Sequence, residues 1–292
     1  MKSINQIYLK VLSDCVGIAS VEKTSRGLIY YEAADTPYVV EINPADSLIT
    51  LKERRLNYAF NIIEKLSYIS GVGFYPNIIT SYNKNYSRFV ESNFIDPGSY
   101  GYRISQQLPY IYSLLKRDPQ TRQAVVNIYN YLEDNRGDRE NTPCTLALNF
   151  KVSENGLDMV GYMRSNDAMW GFPYDISQFT FIQEVMARWL EIPIGIYTHV
   201  VTSLHLYTDM IEQKEKIINA GLLFNDHVQF KWDLSYKKTG MELQEFWFYE
   251  NQIRSGKQLS RINFLTESEY LDNALEVIQK HWIRKNATKQ EY

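Results

Sequence analysis

One cysteine, Cys144 in Thr142-Pro143-Cys144-Thr145, begins a series of residues able to do covalent chemistry. Downstream lie Met163-Arg164-Ser165-Asn166-Asp167, then Gly171-Phe172-Pro173-Tyr174-Asp175, then Ser203-Leu204-His205-Leu206-Tyr207. A thiol attacks as its thiolate, which forms where positive charge lies close, and Arg122 and Arg164 are arginines that could supply that charge. The competing reading of an isolated cysteine beside a strand is a small buried hydrophobe. His205 and Tyr207 stand two apart in an extended-looking segment, so both side chains can point to one face. No set of His, Cys, Asp and Glu has zinc-like spacing, and His199 to His205 is not a helical metalloprotease pair, so no metal is expected.

The elements that must hold these residues are short strands flanked by helices. Ala124–Tyr129, Leu146–Val152 and Leu157–Met163 are partly alternating and rich in β-branched or aromatic residues, and Asn155-Gly156 predicts a tight hairpin between the last two. The polar stretch Asn135–Asn141 reads as a surface loop ahead of the cysteine. Apolar residues at three- and four-residue spacing predict helices over Gln178–Leu190, over Glu53–Ser70 ending at Gly71, and over Glu267–Arg284 with Thr266 as cap. Asp175 could then merely cap the helix that starts near Ser177. The fold class expected is α+β. No linker or low-complexity stretch divides the chain, so residues 1–292 are read as one domain with a distinct helical region from about residue 210.

Composition narrows the partners. A chain of 292 residues with 45% hydrophobic and 22% charged residues is globular and long enough for a large core. A net charge of -3, without a dense basic run, disfavours a nucleic-acid partner. Nothing reads as a membrane span or an N-terminal signal region, and two cysteines, Cys15 and Cys144, make no disulfide framework. A soluble protein of the cytoplasm, the host cytoplasm if viral, is expected.

From Asp118-Pro119-Gln120-Thr121-Arg122 through the cysteine segment to Tyr207, the order of motifs resembles the thymidylate synthase superfamily and its pyrimidine hydroxymethylases. Weaker likeness extends upstream: Thr24-Ser25-Arg26-Gly27 is similar to the family's phosphate loop, Glu64 to its catalytic glutamate and Ser99-Tyr100-Gly101 to its Tyr-Gly turn. The resemblance implies a thymidylate synthase-like fold, a mixed sheet packed with helices, and a sheet-mediated homodimer. It implies a pyrimidine nucleoside monophosphate as substrate and 5,10-methylenetetrahydrofolate as cofactor.

The roles implied follow residue by residue. Cys144 would add to C6 of the pyrimidine and make C5 a carbon nucleophile toward the one-carbon unit. Glu64 would organise water and move protons, with Tyr100 in the same network. Arg26, Arg164 and Ser165 would grip the 5′-phosphate, and Arg122 would reach the neighbouring subunit's site. His205 and Tyr207 would contact the sugar, Asp167 would lie at the substrate, and Glu64, Asp167 and Gly171 would border the folate.

Four departures from thymidylate synthases shape the expected reaction. Asp175 stands where those enzymes carry asparagine, and a carboxylate accepts from the amino group of cytosine while facing uracil's O4 acceptor against acceptor. Thr145 follows the cysteine in place of a histidine, as in the phage deoxycytidylate hydroxymethylases that this chain most resembles. Beyond Tyr207 no counterpart of the mobile C-terminal segment is visible, and Gln123 replaces a second arginine after Arg122. The expectation is a CMP or dCMP 5-hydroxymethylase. The alternatives are a (d)CMP methyltransferase, a dUMP-using thymidylate synthase, or a catalytically silent pyrimidine nucleotide-binding protein.

Overall fold

Gly156 closes the central hairpin with φ +123°, a conformation closed to most side chains, and a Cβ there would stand 2.2 Å from the Pro193 carbonyl oxygen. The computed structural model describes residues 2–17, 20–25, 27–72, 76–90, 99–135, 142–260 and 266–290. Its strands are β1 (Val21–Ser25), β2 (Leu28–Glu32), β3 (Tyr38–Ile42), β4 (Val125–Asn127), β5 (Thr145–Ser153), β6 (Gly156–Met163), β7 (Asn166–Asp167), β8 (Ile194–Val201) and β9 (Leu204–Tyr207). Its helices are α1 (Ile4–Cys15), α2 (Tyr58–Ser70), α3 (Pro76–Tyr82), α4 (Tyr100–Ser105), α5 (Leu108–Arg117), α6 (Tyr131–Asp134), α7 (Phe172–Leu190), α8 (Ile211–Ala220), α9 (Tyr236–Arg254) and α10 (Glu269–Gln290).

The strands form a five-stranded sheet in the order β3-β8-β6-β5-β4 and a four-stranded sheet in the order β1-β2-β9-β7. Each is mixed: β6 and β8 run parallel, as do β7 and β9, and the remaining pairs are antiparallel. This is the α+β arrangement expected, with α2 and α7 packed together and α7 lying on β6 and β8. Strand β8 shows why one face is covered. Gly195, Tyr197, His199 and Val201 are buried, whereas Ile196, Thr198 and Val200 between them are half-buried on the other face. Phe172, Ile176, Phe179, Ile182 and Val185 of α7 are fully buried against that inner face. Each such side chain contributes about 1.5–3 kcal/mol of transfer free energy.

All three predicted helix starts move. The helix predicted from Gln178 begins six residues earlier, at Phe172, with Gly171 at the N-cap and Pro173 in the first turn, where its missing N–H costs nothing. Asp175 therefore lies inside the first turn, where a negative charge suits the helix dipole, and is not the cap. The stretch from Glu53 breaks in two. Lys52–Arg54 is a single 3₁₀ turn, Arg55 takes φ 50°, and α2 starts only after Asn57, whose side chain accepts from Phe60 N–H. At the C-terminus, Ser268 in place of Thr266 caps α10, its Oγ accepting from Leu271 N–H at 3.2 Å. Of the predicted loop, Asn135 is a bend, and residues 136–141 lie outside the described residues.

Beyond residue 210 the chain docks on α2 and α3. Tyr82 donates to Glu250 at 2.7 Å, Trp247 Nε1 to Ser70 Oγ at 3.1 Å, and Lys285 to the Ser81 carbonyl at 2.6 Å. One continuous apolar core runs from Ile4 to Ile278. Among the described residues no helix is long and apolar enough to cross a membrane.

Candidate active site

Cys144 stands immediately before β5, half-buried, and two clamps fix the backbone around it. The Tyr100 hydroxyl oxygen accepts from the Cys144 and Thr145 N–H groups, each at 3.0 Å. Arg164 wraps the same loop, its Nε donating to the Pro143 carbonyl at 3.0 Å and its Nη2 to the Thr142 carbonyl at 2.9 Å. That puts Nη2 3.7 Å from the Cys144 sulfur. A guanidinium at this distance stabilises negative charge on sulfur, the condition for nucleophilic attack. Arg164 Nη1 has no hydrogen-bond partner among the described residues and is available to an anion. The helix carrying Tyr100 is itself anchored: Arg103, buried, donates to Asp134 at 2.9 Å and to the Ile128 carbonyl at 2.6 Å. Removing one partner of such a buried pair costs about 3–5 kcal/mol.

Two carboxylates come from the helices behind. Glu64, only 9% exposed on α2, accepts from Gln178 Nε2 of α7, and Gln178 in turn accepts from Tyr68 at 2.9 Å. Burial pushes Glu64 up to about 8, against the Gln178 hydrogen bond and with help from the charge of Asp175. Asp175 is half-buried, and its Oδ2 accepts from Asn166 Nδ2 at 2.6 Å. Burial lifts it to about 7, with the Asn166 hydrogen bond opposing and the charge of Asp167 adding. Tyr100 joins the two walls. Its hydroxyl is at the cysteine, its ring stacks on Phe179 of α7 with centroids 6.5 Å apart, and it meets Tyr68 of α2 at 6.0 Å. Burial foremost, with the neighbouring Cys144 and Asp175, raises its pKa and keeps it a neutral phenol.

His205 and Tyr207 lie as their spacing predicted. His205 and Tyr207 share one face of β9 with ring centroids 5.2 Å apart, and Tyr30 of β2 lies 5.3 Å from His205. His205 Nδ1 is 3.5 Å from Ser165 Oγ and 3.3 Å from the Ser203 carbonyl. Ser203 Oγ donates to Glu32, which also pairs with Lys23 and stands opposite His205 in the β2/β9 ladder. Ser25 and Gly27 form the β1–β2 turn, and Arg26 between them lies outside the described residues.

Arg122 is not brought to this cleft. It is exposed beside a groove of about 440 Å³ on the outer face of the five-stranded sheet, with Asn149, Lys151, Asp158 and Thr198.

Asp167 Oδ1 accepts from Met169 and Trp170 N–H at 2.6 and 2.7 Å, while buried Oδ2 has no partner among the described residues. Burial raises Asp167 above the usual carboxylate range. Beside it, Arg54 is 6% exposed, donates to the Met169 carbonyl at 2.6 Å and leaves its buried Nε without a partner among the described residues. Its guanidinium carbon lies 5.9 Å from the Trp170 ring centroid and 5.8 Å from that of Tyr174. An unused acceptor, an unused donor and a half-exposed indole suit a flat heterocycle bearing N–H groups, as the pteridine ring of a folate is. A Cβ at Gly171 would sit 2.8 Å from Asn166 Nδ2 and 3.1 Å from Asp175 Oδ2, so the glycine leaves room for that contact. Among the described residues no group of three or more His, Cys, Asp or Glu could hold a metal.

Sequence reasoning missed Arg54, Tyr68, Gln178 and the positioning role of Asn166. Only Asn166 carried a signal, its place inside the Arg-Ser-Asn-Asp run; the others sit among helical residues with no local mark. Comparison with known proteins agrees with the motif order. The profile of the thymidylate synthase family matches residues 80–261. The chain is 36% identical over 243 residues to a deoxyuridylate hydroxymethyltransferase of Bacillus phage SP01, covering 74% of this chain and 62% of that protein. It is 26% identical over 200 residues to a protein of the same name from Pseudomonas phage M6, covering 66% and 57%. The chain thus spans about three fifths of the length of these relatives.

Proposed function

The chain belongs to the thymidylate synthase family, and from that premise we propose that it is a folate-dependent transferase that hydroxymethylates C5 of a pyrimidine nucleoside monophosphate. The observation that carries this reading is the cleft in which Tyr100 links Cys144, with Arg164 at its sulfur, to the buried carboxyls Glu64 and Asp175. Methylenetetrahydrofolate, when bound, supplies a one-carbon unit at the formaldehyde oxidation level, and Asp167, Arg54 and Trp170 are the residues that would hold it. Cys144 adds to C6 of the ring and gives C5 the nucleophilic character of an enamine carbon. Arg164 balances the sulfur's charge before addition and again when the thiolate leaves. Glu64, poised near 8, holds a proton at neutral pH and can orient the water whose oxygen becomes the hydroxymethyl group. His205 and Tyr207 meet the sugar, Ser165 and the free Nη1 of Arg164 the phosphate.

Asp175 makes cytidylate, CMP or dCMP, the first reading of the base, because an ionised carboxylate accepts from the cytosine amino group. A second reading, deoxyuridylate, is favoured by the names of the two phage relatives. Mass spectrometry after incubation with methylenetetrahydrofolate and CMP, dCMP or dUMP tests both. Addition of a hydroxymethyl group to a cytidylate is expected; addition of a methyl group to any of them overturns the hydroxymethylase. Asp175→Asn should lower the dCMP/dUMP ratio of kcat/KM by about 10²-fold or more, and an unchanged ratio removes Asp175 from base selection.

The outer face of the five-stranded sheet, with Val39 54% and Tyr162 40% exposed, supports a homodimer in which Arg122 reaches the partner's phosphate site.

A further inference from the structure

Behind Asp175 runs a buried hydrogen-bonded line that the reaction above does not use. Asn166 Nδ2 lies 2.6 Å from Asp175 Oδ2, Asn166 Oδ1 lies 3.4 Å from His199 Nε2, and His199 Nδ1 lies 2.8 Å from the Tyr197 hydroxyl. Tyr197 and His199 are fully buried on β8, and Asn166 is 2% exposed on β7. Gly161 of β6 makes room for the line, since a Cβ there would stand 2.3 Å from the Tyr197 hydroxyl oxygen.

The direction of these bonds is determined. Burial pushes His199 down to about 3, so the ring is neutral, with one donor and one acceptor. An amide facing a carboxylate must present its NH₂, which leaves Asn166 Oδ1 to accept from His199 Nε2–H. His199 Nδ1 is then bare and accepts from Tyr197 O–H. Reversal would require Tyr197 to donate elsewhere, and among the described residues its hydroxyl has no other hydrogen-bond partner. Asp175 Oδ2 is therefore always offered a donor, and a carboxyl proton, when present, belongs on Oδ1. Oδ1 has no hydrogen-bond partner among the described residues, and Asp175 is half-buried.

Resting on the nucleotide-site reading above, we propose that Tyr197, His199 and Asn166 are positioning residues that make Asp175 Oδ1 the single base-reading atom. Bare, Oδ1 accepts from the 4-amino group of cytosine; protonated, it donates to the 4-carbonyl of uracil. One side chain then serves either base, and pH sets the preference.

The groups around Asp175 are Asp167 of β7, Glu64 and Tyr68 of α2, Tyr100 of α4, Cys144 just before β5, and Tyr197 and His199 of β8. Asp167 and Glu64 favour its protonated form when they carry charge, and the Asn166 donor favours the carboxylate. With burial the balance lies at about 7. The dCMP/dUMP ratio of kcat/KM should therefore rise with pH, by about tenfold per unit where Asp175 titrates. Phosphate and thiol titrations are common to both nucleotides and cancel in that ratio.

The experiment is C5 tritium release from labelled dCMP and dUMP between pH 5.5 and 8.5, for the full-length chain and for Asn166→Leu and Tyr197→Phe. In the parent, the ratio should climb with pH. Asn166→Leu removes the donor from Oδ2, so the whole ratio curve should move to higher pH and the ratio at pH 7 should fall about tenfold. Tyr197→Phe frees the line to reverse and admits a proton on Oδ2, so the same fall, about threefold, is expected from the milder change. It serves as the test if Asn166→Leu does not fold. A parent ratio that is flat with pH overturns the inference, as does an unmoved curve in a folded variant. Failure of the parent to release tritium from either nucleotide overturns the underlying nucleotide-site reading instead.

Discussion

The two walls of the cleft hold their reactive groups by opposite means. On the cysteine wall, Cys144 is half-buried and its surroundings are made of full charge and backbone: the Arg164 guanidinium at 3.7 Å, with Tyr100 accepting two main-chain N–H groups. On the carboxyl wall, Glu64 and Asp175 meet no cation within hydrogen-bonding distance among the described residues; neutral amides, Gln178 and Asn166, hold them, and burial moves both toward neutrality. A nucleophile needs its charge stabilised, whereas groups that must trade protons near pH 7 need theirs destabilised. One cleft does both because its walls come from elements of different polarity, a strand end and two packed helices.

The largest effect should come from the cysteine wall. Cys144→Ala should abolish C5 tritium release by at least about 10⁴-fold with little change in Tm. Residual release close to that of the parent would mean that the sulfur does not attack C6.

Glu64→Gln should lower product formation by about 10²–10⁴-fold, and it separates the walls in a second way. Burial raises Glu64 from 4.5 to about 8, so between those values the folded chain keeps a proton that the unfolded chain has lost, and stability falls as pH rises. Glutamine removes that loss. Its Tm should exceed the parent's by several degrees at pH 8, with the gap closing toward pH 5, at about 2–4 °C per kcal/mol. A pH-independent difference would show that Glu64 is not held in its neutral form.

The smallest effect is steric. Gly171→Ala brings a Cβ to 2.8 Å from Asn166 Nδ2 and should destabilise the chain by about 1–3 kcal/mol, measured by urea unfolding. Full stability would mean that the Asn166–Asp175 contact yields freely, weakening the contrast between a rigidly held carboxyl and a merely enclosed one.

Much of the fold was legible where local chemistry decides it. The Asn155-Gly156 hairpin and the apolar period of α7 depend on turn geometry and side-chain spacing alone; the hairpin formed where expected and α7 ended at Leu190 as expected. The start of α7 did not follow from periodicity, because Phe172, buried against Tyr8 and His199, is recruited into the helix by contacts from α1 and β8. Of the candidate site, Cys144, Arg164, His205 and Tyr207 were picked out by the family resemblance of their motifs, and spacing alone gave only the shared face of His205 and Tyr207. Arg54 was not. A basic residue between two apolar runs has no mark that separates it from a surface charge until Trp170 and Tyr174 close over it.

The sequence by itself determined which groups are present and in what order: a thiol, two arginines, a histidine and a tyrosine spaced for one strand face, and an aspartate where the family it resembles carries an amide. These follow from residue identity and from the periods of strand and helix, which act over a few positions. Only the tertiary structure decided their states. The neutral bias of Glu64 and Asp175 comes from burial, and the direction of the Tyr197–His199–Asn166 line comes from the meeting of β8, β7 and α7. Desolvation and hydrogen-bond polarity depend on everything within a few ångströms, and most of that comes from distant parts of the chain.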